Sequence, residues 1–210
     1  MKLEITHITK YSYANSAVDS VNEVRLTPRT DERQSCYHHE LTVEPRAPIM
    51  AYEDCFGNRV HAFSVNDPHQ ELVIRTRSVV VTRELESPPT ALQPQEELAE
   101  LRSESLTDRL IEYLLPTQYT TQSQELLDYA KQFPLADQGV YQWIQEVSSA
   151  IHSDLKYDPS ATHVHTTVSE TLRLRRGVCQ DYTHLLISVC RAAGVPARYV
   201  SGYHFVGDLQ

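Results

Sequence analysis

Along residues 2–84 apolar and polar positions alternate, the period of strands with one covered face. Lys2-Leu3-Glu4-Ile5-Thr6-His7-Ile8-Thr9, Glu40-Leu41-Thr42-Val43 and Arg59-Val60-His61-Ala62-Phe63-Ser64-Val65 follow it, and Leu72-Val73-Ile74 and Val79-Val80-Val81 are short apolar runs. Turn formers separate them at Pro28-Arg29-Thr30-Asp31, Gly57-Asn58 and Asn66-Asp67-Pro68. The pattern predicts an N-terminal antiparallel β-sandwich over 1–86. Pro88, Pro89 and Pro94 then mark a proline-rich linker, 87–97.

From 98 to 210 the period becomes 3.6, so the fold class is α+β. Leu106, Leu110, Ile111 and Leu114 form a stripe ending at Pro116, and a second helix is expected from Ser123 to Phe133. The longest uses Val140, Trp143, Ile144, Val147, Ile151 and Leu155, with Trp143 as a packing anchor. Thr167 and Glu170 have capping-box spacing, predicting a short helix that ends at Gly177. After Cys179, residues Tyr182, Leu185, Leu186, Val189, Cys190 and Ala193 share one face of a helix about four turns long. Gly194 and Pro196 supply its stop. Ala197–Phe205 then reads as a strand.

Composition narrows the function. A net charge of −9, with no basic run or aromatic-basic stripe, argues against a nucleic-acid binder. No apolar run approaches the roughly 20 residues a membrane-spanning helix needs. The N-terminus has no signal-peptide pattern, so a cytoplasmic location is expected. The four cysteines, 36, 55, 179 and 190, show neither CxxC nor zinc spacing. Reduced thiols are therefore expected, with Cys190 a small core residue.

Cys179 carries the candidate chemistry. At a helix start it meets unpartnered backbone N–H groups and the positive end of the macrodipole, which favour the nucleophilic thiolate. His163 and His165 face one side of an extended segment and could hold a metal, yet no third ligand has diagnostic spacing; surface histidines are the plainer reading. His184 lies about 140° further round the helix than Cys179, poorly placed as its base. His204 on the last expected strand is a weak substitute. Asp181 suits an N-terminal cap, and its charge would oppose a nearby thiolate.

The segment Gly177-Val178-Cys179-Gln180-Asp181-Tyr182-Thr183-His184, continuing as Cys190-Arg191-Ala192-Ala193-Gly194-Val195-Pro196-Ala197-Arg198-Tyr199-Val200-Ser201-Gly202-Tyr203, resembles the bacterial transglutaminase-like superfamily. Tyr157-Asp158-Pro159 and Ala161-Thr162 extend the match. Tyr11-Ser12-Tyr13, Glu23–Pro28 and Asp54-Cys55-Phe56-Gly57-Asn58 are similar to the N-terminal region that accompanies such cores. The resemblance implies a helical, papain-like core at 98–210 with an incomplete C-terminal sheet, and a Cys-His-Asp arrangement whose nucleophile is Cys179. The loop and short helix before the cysteine would form one cleft wall. The family's later His-Ala-Trp and Asp-Pro segments do not occur after Tyr203, so only the cysteine transfers. The expectation is that the 210 residues lack a C-terminal part.

The implied activity is acyl transfer on peptide or glutamine carboxamides through a Cys179 thioester, ending in hydrolysis or transglutamination. The partner expected is a protein or peptide carboxamide, with no nucleic acid, membrane, cofactor or metal. Three readings remain open: this enzyme, a non-catalytic binding or scaffolding module on the same fold, and a metal-dependent hydrolase using His163 and His165.

Overall fold

The alternating first part of the chain forms six strands: β1 (Lys2–Ala17), β2 (Ser20–Val24), β3 (Gln34–Glu44), β4 (Ile49–Glu53), β5 (Arg59–Val65) and β6 (His69–Thr82). The computed structural model describes residues 1–84, 93–135 and 138–205. The chain divides into two units, Met1–Pro89 and Thr90–Gln210. In the first, two antiparallel sheets have the orders β1-β6-β3 and β2-β5-β4. Period-two patterning puts Val43, Leu72 and Ile74 of one sheet against Phe63 and Val65 of the other, closing a sandwich core.

Two sequence runs, Leu72-Val73-Ile74 and Val79-Val80-Val81, belong to the single strand β6. Its inward positions between them are Thr76 and Ser78, 1% and 2% exposed, so buried hydroxyls interrupt the apolar pattern without interrupting the strand. Ser78 Oγ lies 2.9 Å from His39 Nδ1. The His39 ring lies 5.6 Å from that of His61 on the other sheet. One part of the sandwich interior is therefore polar.

The second unit contains α1 (Pro94–Leu101), α2 (Glu104–Leu110), a 3-10 turn at Ile111–Tyr113, α3 (Gln124–Ala130), α4 (Val140–Asp154), α5 (Val168–Leu174) and α6 (Cys179–Ala192). A two-stranded parallel sheet joins β7 (Lys156–Tyr157) to β8 (Arg176–Gly177). The helices α3, α4 and α5 pack around α6. Leu126, Trp143, Val147, Val168, Leu185 and Val189 are all fully buried there. Trp143 is the anchor its stripe predicted, and its ring N–H donates to the Phe133 carbonyl at 3.0 Å. No described helix is long and apolar enough to cross a membrane.

Three local expectations are corrected. Residues 87–92 of the linker lie outside the described residues, but its end is helical: Pro94 opens α1. Proline is tolerated at that first position because its missing N–H would have no helical partner. The helix after Thr167 ends at Arg175, whose φ of 52° is left-handed, and Gly177 instead sits in β8. Ala197–Phe205 is irregular, with Tyr199, Val200, Tyr203 and Phe205 exposed. Strand-forming residues make a strand only where a ladder partner exists, and among the described residues none pairs with this segment.

Candidate active site

The elements that deliver Cys179 are built by local rules. Thr167 caps α5, accepting from the Glu170 N–H while the Glu170 carboxylate accepts from the Thr167 N–H at 2.8 Å. Val168 and Leu172 fix α5 in the core. Arg175 turns the chain; its carbonyl accepts from Lys156 N–H and Gly177's accepts from Asp158 N–H, both at 3.0 Å. Val178 is the extended N-cap of α6, and Cys179 is the first helical residue, exposed. At the far end Gly194, φ 78°, closes a Schellman motif. Val195 N–H donates to Cys190 O at 2.8 Å and Gly194 N–H to Arg191 O at 3.0 Å. Cys190 is core, and burial pushes its thiol up to about 11. All four cysteines are free.

Asp181 lies under this turn. It is 1% exposed, and Oδ2 accepts from Val178 N–H and from Thr162 Oγ1, each at 2.7 Å. The cap expected of Asp181 is thus present. Thr162, 19 residues away, is a partner that sequence reasoning missed; it figured there only in the extended family match. Gln180 Nε2 donates to Val164 O at 3.2 Å, a second tie between the first turn of α6 and the preceding loop. Inside that loop Asp158 accepts from the Ser160 hydroxyl at 2.7 Å and from its N–H at 3.0 Å. These bonds, the hydroxyl first, hold the Asp158 carboxyl below its usual range. Tyr182 donates to Leu155 O at 2.8 Å. Burial raises its phenol, and the charge of Cys179 adds to the rise.

The histidines form a separate stack. His184 lies flat on Tyr119, ring centres 5.5 Å apart and planes 6° apart, with Tyr199 against it at 5.5 Å. Its Nδ1 is buried without a hydrogen-bond partner, and burial lowers its affinity for a proton. His184 is thus a packing residue of the helix. Tyr119 OH also meets His165 Nδ1 at 3.3 Å. His163 Nδ1 accepts from the His165 N–H at 3.2 Å. Among the described residues no three His, Cys, Asp or Glu side chains form a group that could hold a metal. His204 is exposed on the irregular segment.

A sandwich followed by a helix-opening cysteine and a latched loop agrees with the comparisons. Residues 3–81 match the bacterial transglutaminase-like N-terminal region, and residues 128–207 match the transglutaminase-like superfamily core. The chain belongs to the bacterial transglutaminase-like superfamily. An uncharacterized protein of Mycobacterium leprae is 35% identical over 202 residues, covering 96% of this chain and 71% of that protein. An uncharacterized protein of Mycobacterium tuberculosis is 34% identical over 212 residues, covering 96% of this chain and 65% of that one. A crystal structure from Cytophaga hutchinsonii, described as a "putative cysteine protease", superposes with a TM-score of 0.71 at 22% identity. That match covers 93% of this chain and 65% of the solved one, and it establishes the papain-like α+β fold. The superfamily match over residues 128–207 supports a thiol-dependent activity at the level of the family.

Proposed function

We propose that this transglutaminase-like protein performs acyl transfer on protein or peptide carboxamides, with Cys179 as the nucleophile. The observation that carries the reading is an exposed cysteine at the first position of a helix whose remaining length is anchored in the core. The first-turn N–H groups have no helical partners, and the Cys179 N–H is suited to stabilise an oxyanion. The sulfur attacks the carboxamide carbon, a C–S bond forms, and collapse of the tetrahedral intermediate breaks the C–N bond. The released nitrogen leaves as ammonia or an amine after taking up a proton. The thiol proton passes first to a base, for which the superfamily's Cys-His-Asp arrangement implies an imidazole. Water completes hydrolysis of the thioester, and an amine completes transamidation.

The test is ammonia or amine release from glutamine-containing peptides by the protein purified from its source, with intact-mass detection of an acyl adduct. Cys179→Ser is expected to lower release by at least about 1,000-fold and to remove the adduct. Release that persists in Cys179→Ser would sink the proposal. So would a folded wild type that binds peptide without ever acylating, which leaves the scaffolding reading.

A further inference from the structure

We infer that Asp181 is a positioning residue for Cys179, an inference that rests on the thioester reading above. Its carboxylate is buried, yet only one oxygen is used: Oδ2 takes both 2.7 Å bonds, while Oδ1 is buried with no hydrogen-bond partner. A buried carboxylate with an unused oxygen is costly to folding and is an unusual choice for a purely structural cap. Its two donors explain its value. One is the N–H of Val178, the residue immediately before the nucleophile, and the Val178 carbonyl is held in turn by the N–H groups of Asp181 at 2.9 Å and Tyr182 at 3.2 Å. Both backbone polar groups of Val178 are thereby fixed, and with them the peptide plane that sets the direction of the Cys179 N–H.

The second donor, Thr162, belongs to the loop that approaches the cysteine turn, so the same oxygen registers that loop against α6. Gly177 allows the arrangement, because a Cβ there would lie 2.6 Å from Asp181 Oδ2. With Oδ2 committed to Val178 and Thr162, the carboxylate works through hydrogen bonds accepted from the turn, and its negative charge is incidental to that work.

Two reactions of one thiol separate positioning from folding. Acylation by a p-nitrophenyl ester uses the oxyanion donor; alkylation by iodoacetamide does not. In the protein at its natural length, Asp181→Ala is expected to lower the ratio of acylation to alkylation rate by about 10- to 100-fold. Asp181→Asn keeps an acceptor oxygen of the same shape and is expected to stay within about threefold of wild type. Thr162→Val, which removes one donor and leaves the helix intact, is expected to give a smaller loss of the same sign and decides the matter if Asp181→Ala does not fold. A wild-type ratio in folded Asp181→Ala, or in Thr162→Val where that variant alone folds, overturns the inference. So does an Asp181→Asn variant as impaired as Asp181→Ala. A wild type that alkylates at Cys179 and never acylates would sink the thioester reading instead. The positioning inference, which rests on that reading, falls with it.

Discussion

Two glycines flank the chemistry for different physical reasons, and substitution should tell them apart. Gly194 has φ 78° with nothing within 4 Å of a built Cβ, so Gly194→Ala meets only backbone strain, of about 1 kcal/mol. At Gly177 the obstacle is space, since a Cβ would stand 2.6, 2.7 and 2.9 Å from Asp181 Oδ2, Cβ and Cγ. Asp181 is buried and bonded, so it cannot swing away without leaving Val178 N–H unpaired. Gly177→Ala is therefore expected to cost about 1–3 kcal/mol and to slow acylation of Cys179, whereas Gly194→Ala leaves acylation unchanged. Thermal unfolding beside an ester-acylation assay checks both; a Gly177→Ala protein with wild-type acylation would show that the turn adapts. The sequence showed Cys179 as a helix opener because that signal is local. The Thr162 partner of Asp181 was not legible, since nothing in a loop threonine marks a contact formed only by tertiary packing.

At the scale of elements, starts were easier to read than ends. The N-cap of α5 was visible as Thr167 followed by Glu170, and the Glu170 carboxyl is held below its usual range chiefly by the Thr167 N–H, then by the hydroxyl. Removing the hydroxyl in Thr167→Ala is expected to cost about 0.5–2 kcal/mol, with Thr167→Ser close to wild type. Denaturant midpoints at constant slope measure it, and equal midpoints for all three proteins would show that Val168 and Leu172 hold α5 without its cap. The end of α5 was misread because an arginine, not a glycine, adopts the left-handed turn; Asp154 lies 3.5 Å from its guanidinium. α1 was missed because proline counts against a helix except at its first turn. The strand expected at Ala197–Phe205 failed for a non-local reason: residue type sets a preference for extension, whereas a ladder needs a partner that no local pattern supplies.

Across the whole molecule, titratable groups divide acid sensitivity into two windows. Burial is the main cause that lowers the proton affinity of His39, His61 and His184. The charge of His61, then His38, adds to it at His39, and Arg59 adds to it at His61, while Asp181 opposes it at His184. His39 Nε2, His61 Nδ1 and His184 Nδ1 are all buried without hydrogen-bond partners, so a protonated ring would carry an unsatisfied donor. The folded values lie below the ordinary 6.5, so just below that pH the unfolded chain binds more protons than the folded one. Stability therefore falls as pH drops through 6.5. The carboxylates act later and in the same direction. Asp54 is held at about 2, most strongly by the Asn58 side chain, and Glu23, Asp128, Asp158 and Glu170 also lie below their usual values. Their contribution is present above about 4.5 and is lost below it. Thermal midpoints are thus expected to begin falling between pH 6.5 and 5, before carboxylates matter. His39→Asn, which can still bond Ser78 but cannot charge, is expected to flatten that first fall and leave the second untouched. A midpoint constant down to pH 4.5 in wild type, or a His39→Asn protein with an unchanged first fall, would show that the inter-sheet pair accepts protons without parting the sandwich.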